Sequence, residues 1–193
     1  FVMVPLAKKL AEKGFHTVSY DYPTMSRKTD ALGAGFADFI ERMSQKNYSK
    51  IHFVTHSMGG LLLRSALHKI SPETASKVGR SVMLAPPNKG SDLAYLAVKL
   101  IPFADRIVAP IRDLSSEKGS YANTCPEPPE KFDIAVIAAS HDTKVRKKYT
   151  HLRSERAHAT VFSTHTLIVY SQRAAELVCN YIATGNFEGK YHG

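Results

Sequence analysis

Ile51-His52-Phe53-Val54-Thr55-His56-Ser57-Met58-Gly59-Gly60-Leu61-Leu62-Leu63-Arg64-Ser65-Ala66-Leu67 decides how the rest of the chain is read. The first four residues are a short apolar run with β-branched and aromatic members, the last seven favour helix, and Thr55 to Gly60 lie between. The order is strand, sharp turn, helix. A serine at the apex of such a turn stands clear of both elements, and small residues two before and two after let strand and helix approach closely. A hydroxyl is a weak nucleophile at its own pKa. A reactive Ser57 therefore needs a base within hydrogen-bond reach and a third group to orient that base.

Upstream of this stretch, Leu6, Ala7, Leu10 and Ala11 form an apolar stripe at helical spacing that Gly14 ends. Phe15 to Tyr22 reads as a strand stopped by Pro23. Thr29 or Asp30 caps a second helix with Leu32, Phe36, Phe39, Ile40 and Met43 on one face. Downstream, the helix after Ser57 runs to about Ile70-Ser71-Pro72, and strands follow at Arg80 to Leu84, Phe132 to Ala139 and Ala159 to Phe162. A last helix carries Leu167, Tyr170, Ala174, Leu177, Val178, Tyr181 and Ile182, with Gly185 as its stop. Strands alternating with helical patterns imply parallel βαβ units, hence an α/β protein with a mainly parallel sheet.

At 193 residues the expectation is one domain over 1–193, with an insertion over 92–131. Within it, Leu93 to Ile111 is apolar and broken by Pro102 and Pro110. It reads equally as a lid or substrate-binding surface and as a core crossover helix. Ser115 to Glu130 reads as a surface loop. The apolar runs are far short of the roughly 18 residues of a spanning helix. Net charge is +9, which raises nucleic acid or an anionic membrane as partners. The densest basic group, Lys144, Arg146, Lys147 and Lys148, stands beside no nucleic-acid motif, so it is read as a solvated face and no nucleic acid is expected. Cys125 and Cys179 are in no metal or redox spacing; one disulfide is an option and no compartment follows. No clustered His, Cys and carboxylate set and no phosphate-binding glycine pattern is visible, so neither metal nor organic cofactor is expected. Oligomeric state is unreadable.

The hexad Thr55 to Gly60 resembles the nucleophile elbow of α/β-hydrolase lipases and esterases. Tyr20-Asp21-Tyr22-Pro23, Met83 to Ser91 and Thr164-His165-Thr166 resemble a bacterial lipase-like branch of that superfamily, and Thr55 stands where its pattern more often has glycine. The resemblance implies a three-layer α/β/α hydrolase fold, hydrolysis of a small-molecule or lipid carboxylic ester through an acyl-Ser57 intermediate, and an apolar acyl pocket. Thioester hydrolysis or acyl transfer would use the same residues, and a non-catalytic scaffold on this fold is the rival reading. The resemblance also implies further strands upstream of Phe1, one carrying the loop with the second oxyanion donor. Targeting therefore stays unread.

In open parallel sheets ligands bind outside the carboxyl ends of the strands. Ser57, Asp142 and His165 each follow a strand, in the chain order Ser, Asp, His expected of this fold. His165 is the expected base and Asp142 its orienting acid. Asp92 is the alternative acid, with an N-cap role as its plain reading, and His141, His151 and His158 are read as polar loop residues. The Met58 N–H is the expected first oxyanion donor. His56 is expected to point away from Ser57 and pack beneath the turn. Asn88, Ser91, Leu96, Leu100 and Phe103 are the expected pocket residues, with turn formation an equal account of Asn88 and Ser91.

Overall fold

Buried side chains of the middle strands alternate between two cores: Val82, Leu84, Ala135, Ile137 and Ala139 face one, and Met83, Ile134 and Val136 face the other. Coverage of both faces is the condition under which an all-parallel sheet is stable. A computed structural model describes the chain over residues 3–23, 28–100 and 112–189. In chain order its elements are α1 (Val4–Glu12), α2 (Thr29–Ser44), β1 (Ile51–His56), α3 (Gly59–Leu67), α4 (Pro72–Lys77), β2 (Val78–Leu84) and α5 (Asp92–Leu100). The single turns α6 (Tyr121–Thr124) and α7 (Lys147–Thr150) flank β3 (Asp133–Ala139), and β4 (Ala157–Val161) and α8 (Gln172–Thr184) complete the set. The strands pair β1-β2-β3-β4, all parallel. α1 and α8 cover one face with Leu6, Leu10, Leu177, Val178 and Tyr181. α2 and α3 cover the other with Leu32, Phe36, Ile40, Leu62, Leu63 and Ala66. This is the three-layer α/β/α arrangement the sequence implies.

Register decides what the sheet presents at its carboxyl end. His56 lies opposite Leu84, Leu84 opposite Ile137, and Ala139 opposite Val161. The ladder continues one step beyond the strands: Ser57 N–H donates to Leu84 O at 2.9 Å, Ala85 N–H to Ile137 O at 2.8 Å, and Ser140 N–H to Val161 O at 2.9 Å. His141 N–H then bonds Ser163 O at 2.9 Å. The turns carrying Ser57, Asp142 and His165 thus all leave the sheet at the carboxyl end of its strands.

Several local expectations need correction. Phe15 to Tyr22 forms no strand among the described residues. An extended segment becomes a strand only through a hydrogen-bonding neighbour, and this one is held by its rings instead. Tyr20 stacks on Phe36 and meets Phe39 at a tilt, each with centroids 4.8 Å apart. α2 begins at Thr29, but neither Thr29 nor Asp30 caps it. Thr29 N–H donates to Asp113 Oδ2 at 3.0 Å, a cap from a distant carboxylate, and Asp30 pairs with Lys69 at 3.0 Å. The last helix is two elements, a 3-10 turn at Leu167–Tyr170 and then α8, because Ser171 leaves the helical conformation and its side chain accepts from Ala174 N–H. Gly185 does end α8, with φ +78°. Cys125 and Cys179 are both buried free thiols. Among the described residues no helix is long and apolar enough to cross a membrane.

Candidate active site

The turn between β1 and α3 is tight for a definable reason. Ser57 sits at φ 53°, in the left-handed region that costs an L-residue about 1–2 kcal/mol. Its carbonyl accepts from Gly60 N–H at 2.9 Å, which starts α3 at once. A Cβ on Gly60 would stand 2.8 Å from Pro86 Cβ, so α3 approaches the loop after β2 only because position 60 has no side chain. A Cβ on Gly59 would lie 3.4 Å from Thr55 Cβ. Thr55 therefore fits where the elbow pattern more often has glycine.

At the carboxyl end of the sheet Ser57 Oγ lies 2.9 Å from His165 Nε2, and His165 Nδ1 lies 2.7 Å from Asp142 Oδ2. The Asp142 side chain is 1% exposed and that of His165 10%. The other carboxylate oxygen, Oδ1, accepts from the N–H groups of Lys144 at 2.8 Å and Val145 at 2.7 Å, which locks the carboxylate plane. Proton order along this line follows from chemistry. The hydroxyl donates to Nε2 and the Nδ1–H donates to the carboxylate. The Met58 N–H, next in the chain, makes no hydrogen bond among the described residues and remains a free donor at the start of α3.

His56 does more than pack under the turn. Its Nε2 lies 2.8 Å from the backbone carbonyl of His165, so it donates there and joins the Ser57 turn to the His165 loop. Burial pushes its pKa down to about 4, against the hydrogen bond to the His165 carbonyl, which raises it. The unfolded ring, near pH 6.5, takes up a proton that the folded ring refuses, so folding stability falls as pH drops through 6.5 towards 4. Between pH 7 and 5 the loss from His56 is expected to be about 1–2 kcal/mol. Urea unfolding at the two pH values should show that much less acid sensitivity in His56→Gln, which keeps a donor at similar reach but does not titrate. Equal pH dependence in both chains would remove His56 from this account.

The other sequence candidates fall elsewhere. Asp92 is the first residue of α5 and does not cap it; Ser91 does, its hydroxyl accepting from Ala94 N–H at 3.3 Å. The Asp92 carboxylate receives Tyr149 OH at 2.6 Å and Ser116 OH at 3.0 Å and pairs with Arg146, and the Tyr149 bond foremost holds its pKa below the usual carboxylate range. Asn88 and Ser91 are buried and tie loops together, Asn88 to Thr150 O at 2.7 Å and Ser91 to Lys144 O. Leu96 is exposed; Leu100 ends α5, and Phe103 lies outside the described residues. His141 is exposed beside Phe162. His158 is a β4 residue, not a loop residue. The absence of a metal-ligand cluster also needs correction, since His151, Glu155 and His158 converge.

Arg64 is the residue that sequence reading missed. It is 3% exposed on α3, and among the described residues all its hydrogen-bond partners are carbonyl oxygens. These are the backbone oxygens of Asn88 (2.8 Å), Ala122, Cys125 and Pro126 and the Asn88 side-chain oxygen. An arginine about two turns past a turn-borne serine is the only signal in the sequence.

A family model described as Domain of unknown function (DUF7379) matches residues 4–112, more than half of the chain. The chain belongs to the DUF7379 family. The match takes in Ser57 of this DUF7379 member and stops before Asp142 and His165. No curated protein matches its sequence. Among solved structures it is similar to a Bacillus licheniformis lipase in mature form, with TM-score 0.68 and 19% identity over 85% of this chain and 78% of that one. An Aspergillus fumigatus lipase gives TM-score 0.69 and 15% identity over 94% and 49%, and a Pyrobaculum calidifontis esterase 0.59 and 20% over 93% and 70%. The DUF7379 chain spans 42% of the Bacillus lipase in its propeptide form and about half of the Aspergillus enzyme. At these identities the likeness shows the fold alone, the α/β-hydrolase fold with a mainly parallel sheet.

Proposed function

We propose that this chain is a serine hydrolase of carboxylic esters, of the lipase or carboxylesterase kind within the bacterial lipase-like branch. The observation that carries the reading is the unbroken line Ser57 Oγ to His165 Nε2 at 2.9 Å and His165 Nδ1 to Asp142 Oδ2 at 2.7 Å. Ser57 Oγ attacks the ester carbonyl while its proton passes to His165 Nε2. Collapse of the tetrahedral intermediate returns that proton to the leaving alcohol and leaves acyl-Ser57. Water, deprotonated by His165, releases the acid and restores the hydroxyl. The Met58 N–H supplies one hydrogen bond to the oxyanion. Asp142 holds His165 in the Nδ1–H tautomer and stabilises the imidazolium. Phe162 and Leu167, 87% and 57% exposed, bracket His165 in the chain and favour an apolar acyl or alcohol group over a charged one.

A fluorophosphonate probe tests this directly, because it reacts with an activated serine whatever the natural ester. The folded chain should label, Ser57→Ala should not, and His165→Ala should label far more slowly. An intact folded chain that stays unlabelled would overturn the assignment.

A further inference from the structure

The segment leading into β4 gathers three metal-ligating side chains that ester hydrolysis does not use. His151, Glu155 and His158 each offer one ligand atom, all within 4.8 Å of one another. The donor atoms of a tetrahedral zinc site stand roughly 3.3 Å apart, given bonds of about 2.0–2.2 Å, so modest side-chain rotation closes the set. Two imidazoles with one carboxylate form a donor set that zinc takes among the divalent ions.

Existing hydrogen bonds have already oriented the ligands. Thr150 Oγ1 donates to Lys147 O at 2.7 Å, so it can only accept from His158 Nε2–H at 3.0 Å, and the lone pair of His158 is left on Nδ1. Glu155 Oε2 accepts from Leu152 N–H at 2.9 Å, leaving Oε1 for an ion. His151 Nδ1 lies 2.8 Å from that Oε1, and its ring stacks on His158 with centroids 3.9 Å apart. The His151 side chain is 39% exposed and that of Glu155 13%, so an ion and a water ligand can reach the cluster from solvent.

We infer that His151, Glu155 and His158 bind one zinc ion, with water as the fourth ligand, as a structural clamp between the α7 segment and β4. The ion takes the place of the proton between His151 Nδ1 and Glu155 Oε1, and that proton moves to the other ring nitrogen. The clamped segment also bonds the loop after β2, through Asn88 to Thr150 O and Lys89 N–H to Tyr149 O at 2.9 Å. Zinc should therefore stiffen the stretch that begins at Asp142.

The test uses tag-free, chelator-stripped chain and added Zn²⁺ or Co²⁺. Calorimetry should give one Zn²⁺ per chain, Tm should rise by several degrees at saturating Zn²⁺, and Co²⁺ should develop the visible absorption of a tetrahedral site. His158→Gln and Glu155→Gln should each weaken binding by at least about a hundredfold, since losing a ligand costs no less than losing a group that merely orients one, and abolish the Co²⁺ spectrum. His141→Gln, on a histidine outside the cluster, should leave both unchanged. Unfolding in chelator shows whether each variant is folded before it is titrated. A wild-type chain with no saturable Zn²⁺ site, or a His158→Gln chain that binds as well as wild type, would reduce the cluster to a hydrogen-bonded pair and overturn the proposal.

Discussion

Asp142→Asn is expected to lower turnover of a short-chain chromogenic ester by about 10³- to 10⁴-fold, while Asp92→Asn leaves it within about threefold of wild type. The reason lies in which oxygen of Asp142 does what. Oδ1 accepts two backbone N–H groups, from Lys144 and Val145, so an asparagine there must keep its carbonyl oxygen on that side. Its NH₂ then faces His165 Nδ1, where Oδ2 stood at 2.7 Å. Two donors cannot face each other, so the ring must shift its proton to Nε2, and Nε2 can no longer accept from Ser57. Geometry survives while chemistry fails, so thermal unfolding should change little. Asp92 bonds Tyr149, Ser116 and Arg146, whereas the side chain of His165 bonds Asp142 and Ser57. Loss of turnover in Asp92→Asn with near-normal Asp142→Asn would transfer the acid role to the end of β2.

What sequence could and could not show divides along local against non-local causes. The strand, turn and helix around Ser57 were legible because each is written in adjacent residues, and the parallel sheet because strands and helical patterns alternate. That Ser57, Asp142 and His165 meet is an expectation from the rule about strand ends, from their chain order and from the resemblance. Their distances depend on register across β1 to β4, which no single segment encodes. The same limit explains the misses. Whether Phe15 to Tyr22 is a strand depends on a neighbour, whether Thr29 caps α2 depends on Asp113, and whether the last helix is continuous depends on Ser171. From sequence His56 reads as a packing residue because its partner, the carbonyl of His165, lies 109 residues away.

Arg64→Met is expected to cost about 3 kcal/mol of stability, a figure that weighs two opposed terms. Removing the guanidinium lifts the penalty of holding a charge at 3% exposure with only carbonyl partners among the described residues. Against that, each buried carbonyl left without a donor costs about 1–3 kcal/mol. Asn88 O at 2.8 Å and Cys125 O are the strongest of the five acceptors, and the rest lie at 3.4–3.5 Å. Methionine fills much of the volume, so the cavity term is small and the orphaned acceptors should dominate. For a chain of this size the shift in Tm should be on the order of 10 °C. Arg64→Lys should fall between, because a single ammonium cannot reach acceptors spread around a planar fork. The location matters as much as the magnitude. Arg64 sits on α3 beyond Ser57 and grips both the loop after β2 and the turn α6, so its loss should loosen the wall against which the Ser57 turn is held. Fluorophosphonate labelling of Arg64→Met should then slow at temperatures well below unfolding. A variant less stable by 3 kcal/mol that labelled at the wild-type rate would show that the carbonyl cage stabilises the fold without positioning Ser57.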